Sequence, residues 1–222
     1  AEGYRNLTLL ISQAYQEGQI LGRPLLRRDW IQARSQGLIA LSGGRLGDVG
    51  QHLVAGRREE ARAALEWWMS LFPDRYYVEL QRTGRENEED YLHSAVALAA
   101  EENCPVVATN EVCFLTPEEY DAHEARVCIG DGRTLNDPRR PRHFSDQQYL
   151  RSPDEMTALF ADIPEAIENT IHIAARCSTE IELGKAYLPD FPTPEGVSIE
   201  QHLEDLSNEG LDKRLAGLNL DD

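Results

Sequence analysis

The stretch PVVATNEVCF, residues 105–114, sets Glu111 and Cys113 two positions apart just after an apolar run. If the chain is extended there, both side chains leave it on the same side. Glu79 and Gln81 close a second such run, RYYVELQ (75–81), and His123 follows in a helix-like segment further on. A carboxylate, a thiolate and an imidazole that converge on one rim can bind zinc, and a bound zinc can activate water for hydrolysis. The same residue types also fit a structural role. Cys113 is then a small buried hydrophobe, Glu111 is hydrogen-bonded at the rim, and His123 packs or caps locally.

Other candidates carry weaker chemistry. Ser42 precedes two glycines, but no GxSxG elbow surrounds it, which favours a turn over a nucleophile. Gly43-Gly44-x-x-Gly47 offers bare amides to an anion yet lacks the Lys-Ser/Thr of a phosphate loop. The run Arg139-Arg140-x-Arg142-His143 can meet a phosphate or an acidic partner, or be a solvated loop. His93, His172 and His202 fall on helical patterns without partners in register and read as surface or half-buried residues. Cys104, Cys113, Cys128 and Cys177 stand singly, so neither a zinc knuckle nor a redox dithiol is expected.

The elements that must position these groups follow from periodicity. Leu7, Leu10, Ile11 and Ala14 define an opening amphipathic helix. GLIALSGG (37–44) reads as a buried strand closed by a glycine turn. Ala61, Ala64, Leu65, Trp68, Met69 and Phe72 share one face of a long helix that Pro73-Asp74 stops. RYYVELQ is rich in strand formers, helical spacing returns from Glu88 through Ala99, and PVVAT forms the next strand. Thr116-Pro117-Glu118-Glu119 is a capping box that opens a helix running to about Ile129. Two further boxes, Ser145-x-x-Gln148 and Ser152-x-x-Glu155, predict short helices, and a longer one starts near Pro164. The Pro-rich stretch 187–198 reads as a linker before a last helix, Ser198 to about Leu218. Alternating strands and helices predict a parallel sheet or barrel with helices outside.

Composition narrows the setting. The chain has 222 residues, 27% charged and 41% hydrophobic, enough for a core without staples. No apolar run approaches the ~18 residues a membrane span needs, and the opening lacks the basic start and apolar stretch of a secretory signal, so a soluble cytoplasmic protein is expected. With 22 basic and 39 acidic residues the formal charge is −17, which repels phosphate backbones and argues against strong DNA binding by this segment.

GYRNLTLLISQAY, GLIALSGGRLGDVGQ, FPDRYYVELQRTGR, PVVATNEVCFL, DAHEARVCIGDGRTL, QYLRSPDEM and LFADIPEAIENT, in this order, resemble the amino-terminal region of the bacterial DNA polymerase III alpha family. That resemblance implies a PHP (polymerase and histidinol phosphatase) domain. The fold class it implies is α/β, a partial (β/α) PHP-type distorted TIM-like barrel with additional C-terminal helices. Residues 1–186 would be the C-terminal portion of the barrel, and 187–222 the Pro-rich linker and helix leading toward a polymerase palm domain. The opening strands, which hold the family's first ligand motifs, would be missing, and an exposed edge would invite homo-oligomerisation or strand exchange.

In metal-binding relatives the strand matching PVVATNEVCF carries Asp-x-His as ligands, where this sequence has Glu111 and Cys113. Some relatives have His after the ELQ strand, where Arg82-Thr83 stands here, and a guanidinium repels a divalent cation. The resemblance therefore implies a degenerate centre without metal, with Glu79, Glu111, Cys113 and His123 as vestiges of a zinc or manganese site and no catalytic residue in the segment. The parent would be a DNA-directed DNA polymerase using Mg and aspartates further along the chain. This segment would serve as scaffold and docking surface for the proofreading exonuclease (epsilon) subunit. Other replicase subunits, and DNA, would be met through the parent's other domains. The alternatives are a metal-dependent PHP phosphoesterase or proofreading 3'-5' exonuclease, and an interaction domain outside replication.

Overall fold

In the computed structural model, which describes residues 2–180, 183–186, 188 and 191–217, helix α1 (Glu2–Glu17) buries Leu10 and Ala14, one turn apart. Leu7 and Ile11 of the same stripe stay exposed. A short antiparallel hairpin, β1 (Gln19–Ile20) with β2 (Arg23–Pro24), and helix α2 (Arg28–Ala33) follow. None of the three is legible in the sequence, because each is too short to show a period.

The sheet that organises the first unit consists of β3 (Ala40–Leu41), β4 (Tyr76–Gln81) and β5 (Val106–Thr109), all parallel and in chain order. Ala40 pairs with Tyr76, and Gln81 pairs with Thr109 at the other end. Helices α3 (Asp48–Val54) and α4 (Arg58–Leu71) connect the first pair, and α5 (Glu88–Glu101) the second. This is the alternating order that the sequence predicts. The expected strand over 37–44 shrinks to two residues because Gly43 and Gly44, at φ 76° and 58°, turn the chain out of extended conformation. Helix α3 escapes a reading by periodicity because Gly50 interrupts it. A Cβ on that glycine would lie 2.1 Å from the Gly44 carbonyl oxygen, so the helix can approach the loop only there.

Beyond β5, Thr116 and Glu119 form the expected capping box around a 3-10 turn (Pro117–Glu119) that leads into α6 (Tyr120–Gly130). The box at Ser152 opens α7 (Pro153–Leu159), and α8 (Pro164–Arg176) follows. The box at Ser145 does not open a helix. The Ser145 N–H donates to Gln148 Oε1 (3.0 Å), but the chain makes one turn and then runs beside Phe114, bridging it in parallel through Tyr149. Backbone bonds from Cys113 N–H to Gln148 O (2.8 Å) and from Leu150 N–H to Phe114 O (3.0 Å) outweigh a nascent helical turn.

The core lies between the sheet and its helices: Leu65, Leu80, Phe160, Ala61 and Ala166 are wholly buried, joined by Tyr91, Leu92 and Leu98. Helix α8 is tied to β5 where Asn169 Nδ2 donates to Val106 O (2.9 Å). Among the described residues the parallel sheet has three strands and does not close into a barrel.

The chain divides into two compact units, Ala1–Glu180 and Ile181–Asp222. The second holds α9 (Ile199–Ala216), whose first turn is capped by Ser198 Oγ accepting from Gln201 N–H. The expected end near Leu218, and Tyr187, Pro189 and Asp190 of the Pro-rich stretch, lie outside the described residues. No helix among the described residues is long and apolar enough to cross a membrane.

Burial of this kind is directly measurable. Leu80→Ala, in the wholly buried centre of β4, should cost about 3 kcal/mol in urea unfolding. Ile129→Ala, at a side chain 80% exposed, should stay within about 0.5 kcal/mol of the parent.

Candidate functional site at the strand ends

The C-terminal ends of β3, β4 and β5 gather the polar residues that the sheet cannot use in its core. Ser42, just past β3, accepts from the Glu79 backbone N–H through its Oγ (2.9 Å), which gives this serine a structural role. At the end of β4, Gln81 Nε2 donates to Glu79 Oε1 (3.1 Å) and to Thr109 Oγ1 (3.2 Å). Thr109 Oγ1 in turn donates to Glu79 Oε1 at 2.5 Å. Glu79 is thus held half-buried by neighbours on two strands. Gly44 lies over this group, and a Cβ there would come within 3.0 Å of Gln81 Oε1.

Glu111 and Cys113 do not form the extended pair that their spacing predicts. Strand β5 ends at Thr109, and Glu111 has φ 44°, in the left-handed region. The turn brings Cys113 Sγ to 3.4 Å from the carbonyl oxygen of Glu111. Gln148 Nε2 donates to the same carbonyl (3.3 Å) from a wholly buried side chain. Asn110 Nδ2 fixes the other side of the turn by donating to Gln147 O (2.9 Å) and Tyr149 O (2.8 Å). Burial first, and then the Glu111 charge, push the Cys113 thiol above its ordinary range, against the opposing charges of Arg85 and Arg126. It is a poor thiolate.

His123, on α6, is 7% exposed and packed between aromatic rings, 5.5 Å from Phe114 and 4.7 Å edge-on to Phe144. Its Nδ1 lies 3.2 Å from Arg126 Nη2, which makes Nδ1 the acceptor and leaves the proton on Nε2. Burial foremost, and then the Arg126 charge, push the imidazole below its ordinary range and favour its neutral form. With Cys113, Phe114, Leu115, Glu119 and Arg126 it lines an open cleft of about 440 Å³.

The residues that dominate the rim are ones that spacing did not single out. Glu88, 3% exposed in the first turn of α5, accepts from Thr83 N–H (2.5 Å), Thr83 Oγ1 (2.7 Å) and Gly84 N–H (2.8 Å). Arg85 Nε donates to Thr83 Oγ1 (2.8 Å) and its Nη2 to Gln81 Oε1 (3.0 Å). The same Nη2 is 2.5 Å from Glu111 Oε2, a charge contact out of line for a hydrogen bond; that oxygen has no hydrogen-bond partner. Arg82 turns away from this centre. Its guanidinium holds Asp162 through two bonds (2.6 and 2.9 Å), donates to Leu159 O (2.7 Å) and stacks 5.1 Å over Phe160. In the basic run, Arg140 is an internal residue, 9% exposed and paired with buried Glu124, while Arg139 is solvated. His93 and His172 are exposed, and His202, in the second unit, packs against Phe191.

These residues do not fit a metal centre. Glu111 faces a guanidinium, Cys113 faces a carbonyl, and one nitrogen of His123 is already taken by Arg126. Among the described residues no three His, Cys, Asp or Glu side chains group as the ligands of an ion would.

Comparison with known proteins adds the family. Residues 1–83 match the PHP domain. DNA polymerase III subunit alpha of Pseudomonas aeruginosa is 56% identical over 215 residues, 97% of this chain. The proteins of the same name from Escherichia coli K12 and Haemophilus influenzae are 53% and 48% identical, over 97% and 98% of it. The chain falls in the DNA polymerase III alpha family. It spans only 18–19% of the length of these relatives. The aligned stretch carries the whole rim, so Glu79, Arg85, Glu111 and His123 all lie in alpha-like sequence, the last three beyond the PHP match itself.

Two measurements check this geometry. The Arg82 hydrogen bonds foremost lower the Asp162 carboxyl from 3.8 to about 2. A lowered acid contributes stability above its unfolded pKa and loses it as pH falls through the folded one. Melting curves of Asp162→Asn and the parent should therefore differ at about pH 6 and converge near pH 2; equal separation at both would show that the pair is not formed. In the second, exposed Cys177 should be alkylated by iodoacetamide well before Cys104, whose thiol burial pushes up to about 12. Peptide mass spectrometry reads the order.

Proposed function

We propose that this segment serves a bacterial replicative DNA polymerase as a metal-free PHP module, a scaffold and docking surface for the proofreading exonuclease (epsilon) subunit. The observation that carries the reading is the left-handed turn at Glu111, which points Cys113 at a carbonyl and leaves Glu111 to a guanidinium, so the former ligand candidates do not converge. The identity to DNA polymerase III alpha subunits along 97% of the chain supports the replicative setting. The polymerase reaction, with Mg and other replicase subunits, belongs in this reading to the remainder of the parent protein, in the cytoplasm. The charge of −17 favours protein partners over DNA for the segment.

The finer fold belongs to the same proposal. Residues 1–186 form part of a distorted PHP barrel, and 187–222 lead toward the palm. The outer edge of β3 has no strand partner among the described residues, and Leu41 on it is 40% exposed. Pairing of this edge with a second copy is a further proposal, and light scattering on the 222-residue chain reads it: a dimer supports pairing, a monomer removes it.

The functional test uses the full-length polypeptide and the purified exonuclease subunit. Co-elution on size exclusion, with substoichiometric zinc and manganese by elemental analysis, is the expected result. Stoichiometric metal that disappears in Glu111→Ala would instead establish the metal-dependent phosphoesterase reading, and failure of the complete domain to bind the exonuclease would remove docking.

A further inference from the structure

We infer that Arg85 is the built-in cation of this rim, its guanidinium supplying the positive charge that the carboxylates gathered there share. The inference rests on the metal-free reading above and names the residue that makes it stable. Three carboxylates, Glu79, Glu88 and Glu111, are brought to the strand ends by three separate segments, and their mutual repulsion requires a positive charge among them. The Arg85 side chain is 7% exposed. One guanidinium reaches Thr83 Oγ1 at 2.8 Å, Gln81 Oε1 at 3.0 Å, Glu111 Oε2 at 2.5 Å and Glu88 Oε1 at 3.6 Å. Glu79 joins the group through Gln81, whose amide nitrogen donates to it at 3.1 Å.

The arrangement resembles coordination in what it gathers and differs from it in how it is held. An ion can be chelated or can exchange; a guanidinium is tied to the chain and stays charged at any pH a folded protein meets. Its planar fork also needs acceptors at set angles. Gln81 and Thr83 supply these as neutral oxygens, leaving the two flanking carboxylates, Glu88 and Glu111, to supply charge. Arg85 lies in the turn between β4 and α5, so its position is set by the strand exit and the helix start together. Gly44 leaves the space over Gln81 open, so the amide can turn its oxygen toward Arg85 and its nitrogen toward Glu79 and Thr109.

The test is thermal unfolding of the full-length polypeptide, with and without EDTA and manganese, for the parent, Arg85→Met, Arg85→Lys, Glu111→Gln and the double variant R85M/E111Q. EDTA and manganese should shift the melting of the parent and of Glu111→Gln by the same amount. Arg85→Met should lose about 5 °C, Arg85→Lys less, and the double variant should melt above the sum of the two single losses because it no longer strands a carboxylate. If Arg85→Met fails to fold, recovery of soluble, folded protein by adding Glu111→Gln supports the inference equally, and absence of recovery counts against it. Strict additivity, or an Arg85→Met variant as stable as its parent, overturns the role of Arg85 alone. A parent that loses stability in EDTA, by an amount that Glu111→Gln abolishes, overturns the metal-free reading as well. Exonuclease binding by Glu111→Gln, run in parallel, reports on docking separately.

Discussion

The buried carboxylate of Glu88 is the constraint on which the strand-end region depends. It comes from the first turn of α5 and closes back on the two residues through which the chain leaves β4, taking two backbone N–H groups and one hydroxyl. Without it, the wholly buried Thr83 would lose the acceptor of both its N–H and its hydroxyl. With it, strand exit and helix entry become one rigid corner. That corner sets Arg85, and the Thr83 carbonyl also accepts from Ser145 Oγ, which draws the long loop after α6 onto the same point. The loop then delivers Gln148 and Tyr149 beside Cys113 and Phe114. A single side chain thereby links elements far apart in sequence.

A second theme is the use to which the arginines are put. The chain has an excess of acidic groups, yet near the rim the Arg82, Arg85 and Arg140 side chains, 15%, 7% and 9% exposed, are all paired with carboxylates, Arg82 with the exposed Asp162 and Glu89, and Arg85 and Arg140 with the buried Glu88 and Glu124. Each joins segments that the sheet alone would leave apart: the end of β4 to the α7–α8 loop, the β4–α5 turn to Glu111 beyond β5, the basic loop to α6. Of the basic run that the sequence offers to phosphate, Arg140 is taken up in tertiary structure, while Arg139, Arg142 and His143 stay exposed. What remains on the surface is the negative excess.

Much of the fold is legible in the residues because it is local. The strands around Tyr76–Gln81 and Val106–Thr109 and the helices from Arg58 and Glu88 follow from period and end signals. The boxes at Thr116 and Ser152 mark helix starts for the same reason. The box at Ser145 has the same letters and fails, since a competing strand-like partner at Phe114 is a tertiary fact invisible to a four-residue motif. The site divides in the same way. Glu79, Glu111, Cys113 and His123 are correctly placed near strand ends by the rule that loops carry function, but spacing assumed that the chain stays extended through Glu111. Arg85 and Glu88 hid in the polar run RTGRENEE, where nothing separates an inward-turned charge from a solvated one. The polymerase family itself was legible in the ordered stretches, which relatives match along nearly the whole chain.

The left-handed backbone at Glu111 also bears on how easily this position can change. That conformation is one that Asp and Asn enter more readily than other side chains with a Cβ, so exchange of Glu for Asp meets no backbone obstacle. A β-branched residue there would be strained, and the position is closed to exchange for Val or Ile. The main chain thus keeps a short acidic or amide residue within mutational reach, whatever the side chains around it have come to do.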